Sequence, residues 1–495
     1  MTSDKLKNIL SNEHDRQKNS LELVASENYV SKNVMNACAN VFTNKYSEWY
    51  PGARYYGWQE FVDQLEIYTQ ELALQVFWLQ SDKRWVNVQP LSGSVANLAV
   101  YVWLLKPWAK ILAMWLSAGG HLTHWHPLNA SGKFYQIIPY WVDKDWYIDY
   151  DQIEKLALEH EPDLILAGFS AYPRDINWSR FADIRNKLMH KTWKLSYLMG
   201  DISHIAWLVA WGKCGNPFEY FDIITTTTHK TLRWPRWAMI YYQKNNYDSM
   251  TLRWYIYKAW IKDTDIVAYV EHYSNIKNNS DFLKWNWNKW TKEFILDFIN
   301  NNTIIKNYIY MLWLEKSINR GVFPWVQWWP FDHILYAKAL ALEEILDPNT
   351  HRSEYINNII KNSQIIANYL SDKWRNIATW WTDNHIILVD VTNKNGKSTW
   401  FAGKQAEKAL ESIWLSTNKN SIPNDTRKPL DPSGMRIGTP AITSRWFGVD
   451  DCLELAKIID NCLEGIWSDW LLGIDNKNIL TDQVLKLCGK YPLWY

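Results

Sequence analysis

Leu195-Ser196-Tyr197-Leu198-Met199-Gly200-Asp201 and, further on, Phe221-Asp222-Ile223-Ile224-Thr225-Thr226-Thr227-Thr228-His229-Lys230 decide the fold. Each is a short apolar or β-branched run that ends on charged side chains, as a buried strand does when it delivers polar groups to one edge of a sheet. The chain upstream keeps the same rhythm. Its pattern predicts a helix over Phe61 to Phe77, a strand over Val86 to Val88, a helix over Ser94 to Leu105 and strands over Lys110 to Met114 and Gln136 to Pro139. A helix over Asp151 to His160, a strand over Asp163 to Ala167 and a helix over Trp178 to Leu188 complete it. Such alternation predicts an α/β domain with a large, mainly parallel sheet covered by helices.

In open sheets of this kind the ligand crevice lies beyond the carboxyl ends of the strands, which places Asp201, His229 and Lys230 there. A carboxylate in that position can hold a pyridinium N–H, and a neighbouring lysine can form a Schiff base with an aldehyde. Taken alone, the same residues also read as a surface ion pair. Ser92-Gly93-Ser94, between a strand and a helix, reads either as a helix cap or as an anion cradle of backbone N–H groups.

Residues 1–45 are polar with helical spacing, Ser31 to Asn40 forming a second helix, and read as an arm packed on something else. Residues 46–335 make the large domain, interrupted at about 244–313 by an Asn-, Lys-, Tyr- and Ile-rich insertion. From Ile334 a long amphipathic helix leads into a smaller C-terminal α/β domain, 336–495, with elements over His385 to Asp390, Ala406 to Ile413 and Asp450 to Leu463. A net charge of +1 without basic or acidic blocks gives no reason to expect nucleic acid as a partner. The five cysteines are scattered with no C-x-x-C pair, so neither a disulfide framework nor a metal site is expected. No apolar run is long enough to span a membrane, and a cytoplasmic location is expected.

Ten ordered strings resemble serine hydroxymethyltransferase across nearly the whole chain outside the insertion. They are Leu23-Val24-Ala25-Ser26-Glu27-Asn28, Thr43-Asn44-Lys45-Tyr46-Ser47-Glu48, Tyr50-Pro51-Gly52, Arg54-Tyr55-Tyr56-Gly57, Asn87-Val88-Gln89-Pro90, Gly119-Gly120-His121-Leu122-Thr123-His124, Thr225 to Lys230, Thr382-Asp383-Asn384-His385, Asn418-Lys419-Asn420 and Arg436-Ile437-Gly438-Thr439-Pro440-Ala441. The resemblance implies a fold-type-I, aspartate-aminotransferase-like enzyme. It would use pyridoxal phosphate to move the hydroxymethyl carbon of serine to tetrahydrofolate, giving glycine and methylenetetrahydrofolate. It also implies roles. Lys230 matches the lysine that holds the cofactor covalently, Asp201 the carboxylate on the pyridine nitrogen and His121 the ring that stacks on it. His204 matches a group near the ring oxygen and the substrate. Gly93, Ser94, Ser170 and His229 match cofactor-binding positions, with Tyr46 reaching over from a second subunit. Arg436 and Ser26 match the substrate-carboxylate site, and Glu48 and Tyr56, again from the partner of a homodimer, match the groups that move protons. Tyr55, Leu116, Gly120, Leu122 and Asn420 match folate contacts. A threonine aldolase would share the lysine and aspartate, but the Glu48 motif, Tyr55 and Asn420 favour the folate enzyme.

The departures from the family pattern are systematic. The chain has 34 tryptophans and 19 glycines, whereas ordinary glycine usage of about 7% would give roughly 35. Trp49, Trp58, Trp108, Trp125, Trp141, Trp207, Trp234, Trp237, Trp325, Trp328, Trp329, Trp380, Trp381 and Trp446 fall on family glycine positions, and Trp178 on one that tolerates aromatics. Overpacking a fitted core costs about 1–3 kcal/mol per site against a stability of about 5–15 kcal/mol, so so many indoles in place of hydrogens would not be tolerated. One translation rule accounts for them together: UGA codons meaning glycine in the source and rendered as tryptophan in the sequence. Were the tryptophans real, a scaffold with a blocked cofactor site would be the competing expectation.

Overall fold

The computed structural model describes residues 3–192, 194–244, 314–350, 352–466 and 472–494. Apart from Lys244, the expected insertion lies outside the described residues. The strands, in chain order, are β1 (Leu21–Glu22), β2 (Arg84–Asn87), β3 (Lys110–Met114), β4 (Gln136–Tyr140), β5 (Leu164–Gly168), β6 (Tyr197–Asp201), β7 (Ile223–Thr227), β8 (Ala238–Gln243), β9 (Arg375–Ile377), β10 (Ile386–Lys394), β11 (Lys397–Ser398), β12 (Leu415–Ser416), β13 (Asn418–Asn420) and β14 (Gly434–Gly438).

Seven of them form one sheet in the order β2-β8-β7-β6-β5-β3-β4. Pairings among β4, β3, β5, β6 and β7 are parallel, and β8 alone runs antiparallel to both its neighbours. The period of two sends alternate side chains to opposite faces. Leu164, Leu166, Tyr197, Met199 and Ile223 pack under the helices Gly93–Leu104 and Leu314–Arg320. Ile165, Ala167, Leu198 and Ile224 pack under Glu60–Val76, Tyr150–His160 and Trp178–Thr192. Burial on both faces explains why β5, β6 and β7 read as continuous apolar or β-branched runs.

The smaller sheet runs β11-β10-β14-β13 with β9 beside β10, all antiparallel. Helices Arg352–Asp372, Gly403–Glu411, Val449–Glu464 and Ile474–Lys490 accompany it. The long helix expected from Ile334 is two helices. Asp332–Leu346 stops before Pro348, which cannot supply the amide a continuing helix needs, and Arg352–Asp372 follows.

The N-terminal segment does more than an arm would. The helix Asp4–Asn19 has no buried residues; β1 then pairs in parallel with β12, Leu21 opposite Leu415. Leu21 and Leu23 thereby enter the core of the smaller sheet. The second helix is shorter than its spacing suggests, Lys32–Ala37, and a 3-10 turn over Val41–Asn44 follows. Among the described residues no helix is long and apolar enough to cross a membrane.

Gly438 fixes this N-terminal strand against the end of β14. Its N–H donates to the Leu23 carbonyl (2.7 Å), and a Cβ at 438 would lie 2.3 Å from Ala25 Cα. Gly438→Ala must push two backbones apart, with an expected loss of about 1–3 kcal/mol. Urea unfolding checks this, and an unchanged midpoint contradicts it.

Candidate active site

Asp201 ends β6, and its carboxylate is buried among donors. Oδ2 accepts from Asn97 Nδ2 (3.0 Å) and pairs with His124 Nε2 (3.1 Å), while Oδ1 accepts from the Ser203 N–H (3.0 Å). Asn97 is itself oriented, its Oδ1 accepting from Thr225 Oγ1 (2.7 Å). Burial alone would raise the pKa of Asp201, but the hydrogen bonds from His124 and Asn97 and the charge of Lys230 outweigh it and hold the carboxyl ionised.

Lys230 follows β7 and is buried. Burial lowers its amine to about 8; Asp201 opposes that shift, and the Arg436 and Arg236 charges add to it. Beside it, burial and the Lys230 charge push His229 down to about 3, and among the described residues the buried His229 Nδ1 has no hydrogen-bond partner. The helix Gly93–Leu104 starts against the end of β7: a Cβ on Gly93 would lie 2.6 Å from Thr227 Cγ2. Ser92 caps this helix, its Oγ accepting from the Val95 N–H (3.3 Å), and Ser94 is exposed. The capping reading of Ser92-Gly93-Ser94 is thus met at Ser92.

Arg436, in the middle of β14, reaches from the smaller sheet towards the larger one. Its Nη1 donates to the Ser170 carbonyl (2.6 Å) and its Nε to Asn418 Oδ1 (3.0 Å). Among the described residues no ion pair joins it to a carboxylate, and burial pulls the guanidinium down to about 10. Ser26 follows Ala25, which lies against Gly438 two residues along β14 from Arg436.

Two neutral imidazoles complete this group. Burial and nearby positive charge depress both His204 and His385, the latter to about 3, and His204 Nδ1 lies 3.3 Å from His385 Nε2. His121 is lowered to about 4, first by burial and then by His124; its Nδ1 accepts from the Thr123 N–H (3.2 Å), so its proton sits on Nε2.

The loop after β3 carries Leu116, Gly120 and Leu122, of which Leu122 is exposed. It is tied to the 170 segment by the Ser170 N–H donating to the Gly119 carbonyl (2.7 Å). Asn420 is half-buried at the end of β13, its amide donating to the Ser421 carbonyl (2.6 Å). Tyr46, Glu48, Tyr55 and Tyr56 form a separate group. Ring centroids are 5.7 Å apart for Tyr46 and Tyr56 and 5.1 Å for Tyr55 and Tyr56. Tyr46 also lies on Trp329 at 4.0 Å. All three tyrosines are exposed, Glu48 is buried beside Tyr46, and among the described residues no hydrogen bond joins them to Asp201, Lys230 or Arg436.

Sequence reasoning missed Asn97, His124, His385 and Asn418 as partners of the site. Asn97 carried a usable signal, an amide inside the apolar helix Gly93–Leu104; the others become legible only from the pairing of distant strands.

A mainly parallel sheet presenting an anchored aspartate and a buried lysine at its carboxyl edge, beside a smaller α/β unit, defines the class: a fold-type-I pyridoxal-phosphate-dependent transferase. The family model described as serine hydroxymethyltransferase matches residues 1–253 and 301–459. Serine hydroxymethyltransferases of Legionella pneumophila, strains Corby and Lens, are each 37% identical over 492 residues, covering 99% of this chain and 97% of the relative. The chain belongs to the serine hydroxymethyltransferase family, whose members interconvert serine and glycine with tetrahydrofolate.

Because the Asp201 carboxylate favours the charged amine, Asp201→Asn is expected to move the Lys230 pKa below about 8. Competitive acetylation of the apoprotein across a pH series, read at the Lys230 peptide, measures it. A midpoint that stays or rises contradicts the electrostatic assignment.

Proposed function

We propose that Lys230 holds pyridoxal phosphate covalently, that Asp201 pairs with its pyridinium N–H, and that Arg436 with Ser26 receives the carboxylate of serine. The buried Arg436 guanidinium carries this reading. A buried cation without an anion is costly, and a planar fork of donors fits a carboxylate in two hydrogen bonds. The cofactor's phosphate fits the other end: among the described residues the buried His229 Nδ1 has no partner, and Gly93, whose Cβ would meet Thr227 Cγ2 at 2.6 Å, stands at the amino end of a helix whose N–H groups favour an anion. The chemistry the cofactor supplies when bound is an electron sink for the carbanion character left at Cα when the Cα–Cβ bond of serine breaks.

The chain's own groups set up that step. Asp201, ionised by its three donors, favours a protonated ring nitrogen. His121 and His204, kept neutral by burial, face the ring and substrate as uncharged groups, so they add no positive charge beside Lys230. Ser170 positions Arg436 through its carbonyl and contributes to the cofactor site. Glu48 and Tyr56 move the proton at the serine hydroxyl and the folate nitrogens, and Tyr46 joins the phosphate. These last three belong to the exposed tyrosine group, which we assign to the partner's site in a cytoplasmic homodimer. Tyr55, Leu116, Gly120, Leu122 and Asn420 bind the folate.

Serine-dependent formation of methylenetetrahydrofolate is the direct test. Arg436→Lys, which loses the fork, should raise KM for serine by about tenfold or more, as expected for a charge-assisted pair; an unchanged KM removes Arg436 from the carboxylate site.

The shared site has its own test. Lys230→Ala and Glu48→Gln are each expected to be inactive as homodimers. Co-assembled, they should regain activity because one of the two sites receives both intact residues. No recovery in a verified heterodimer places Glu48 in its own chain's site.

A further inference from the structure

Among the described residues, fourteen non-glycine residues hold a left-handed backbone, and nine of them are tryptophan: Trp49, Trp58, Trp78, Trp108, Trp146, Trp374, Trp380, Trp414 and Trp446, with φ between 56 and 71°. In this region Cβ crowds the following carbonyl oxygen for every residue except glycine. Asparagine and aspartate visit it because a short polar side chain can bond locally. An indole has no such compensation.

The chain supplies its own comparison. The helix Ala206–Ala210 is closed by the Gly212 N–H donating to Val209 (3.0 Å) and the Lys213 N–H donating to Leu208 (2.8 Å), with Gly212 at φ 66°. That hydrogen-bond pair defines a helix stop whose left-handed residue is usually glycine. The same pair closes Glu60–Val76, where the Trp78 N–H donates to Gln75 (3.0 Å) and the Leu79 N–H to Leu74 (2.9 Å). It closes Pro440–Ser444 through the Trp446 N–H to Thr443 (3.0 Å) and the Phe447 N–H to Ile442 (3.2 Å). Trp78 sits at φ 56° and Trp446 at 68°, the conformation of Gly212.

Burial does not offset the strain. Eight of the nine side chains are exposed, Trp58, Trp78 and Trp380 by 86, 75 and 72%. Trp178 behaves differently. It is helical and buried, edge-on to Phe221 at 5.1 Å, and a Cβ on Gly215 would lie 2.9 Å from its Cδ1, so a true glycine leaves room for its indole.

We propose that the nine left-handed tryptophan positions are glycine in the protein as its own cell makes it, each encoded by UGA read as glycine, and that Trp178 is a genuine tryptophan encoded by UGG. The inference rests on backbone conformation and is independent of the residue roles assigned above.

Peptide mass spectrometry of the protein purified from its own cells tests it, together with the codons of the gene. Expected are glycine in the peptides spanning the nine turns, tryptophan at 178, UGA at the nine codons and UGG at 178. Tryptophan in those turn peptides, or UGG at those codons, overturns it. Two synthetic genes add a physical measurement, one with glycine and one with tryptophan at the nine positions. The glycine form is expected to have the higher Tm, and an equal or lower Tm contradicts the strain argument.

Discussion

The Asp201 carboxylate is the constraint on which the site depends. A buried carboxylate survives only if donors replace the water it has lost, and Asn97, His124 and the Ser203 N–H do so from three different segments. Asn97 belongs to the helix that starts at Gly93, His124 to the short helix Leu122–Trp125 that follows β3, and Ser203 to the turn after β6. Holding one anion therefore fixes the helix start, the His121 loop and the strand ends relative to one another. Lys230 lies in the field of that anion, which limits how far burial can lower its amine.

The smaller sheet is coupled to this arrangement through β14. Arg436 donates to the Ser170 carbonyl in the larger sheet's crevice, while Gly438, two residues on, carries the N-terminal strand on its backbone. Ser170 is tied in turn to Gly119, and so to the loop that bears Gly120, His121 and Leu122. One strand thus sets the guanidinium, brings the 23–26 segment alongside it and reaches the loop of expected folate contacts. Segments more than four hundred positions apart in the chain, Leu23–Ala25 and Gly438, are thereby brought together.

What was legible in the sequence follows from what each signal depends on. The strands β5, β6 and β7 stood out because burial on both faces demands unbroken apolar or β-branched runs, and their carboxyl ends located Asp201, His229 and Lys230. β8 was missed although Ala-Met-Ile-Tyr-Tyr is equally apolar, because it follows the Trp234-Pro235-Arg236-Trp237 turn, where the strand–helix rhythm no longer helps. The place of β1 in the smaller sheet was not legible either. Its partner, β12, lies nearly four hundred residues away, and two residues carry no periodicity. The same limit hid His124, His385 and Asn418, whose importance comes from contacts and not from their neighbours in sequence.

The tryptophans separate two kinds of information that a sequence carries. Element identity depends on the pattern of apolar side chains within strands and helices, and the left-handed tryptophans fall mostly in the turns between them. Trp78 and Trp446 follow helix ends, and Trp108 precedes β3. The pattern that encodes the sheets is therefore intact, and the fold can be read as if the turns were ordinary. Turn chemistry is encoded differently, by which residue tolerates positive φ, and there the side chain and the backbone disagree. The hydrogen bonds at Trp78 and Trp446 match those at Gly212. The backbone of these turns thus takes the left-handed conformation that glycine favours, since the surrounding helix and strand fix the path of the turn more strongly than its own side chain does.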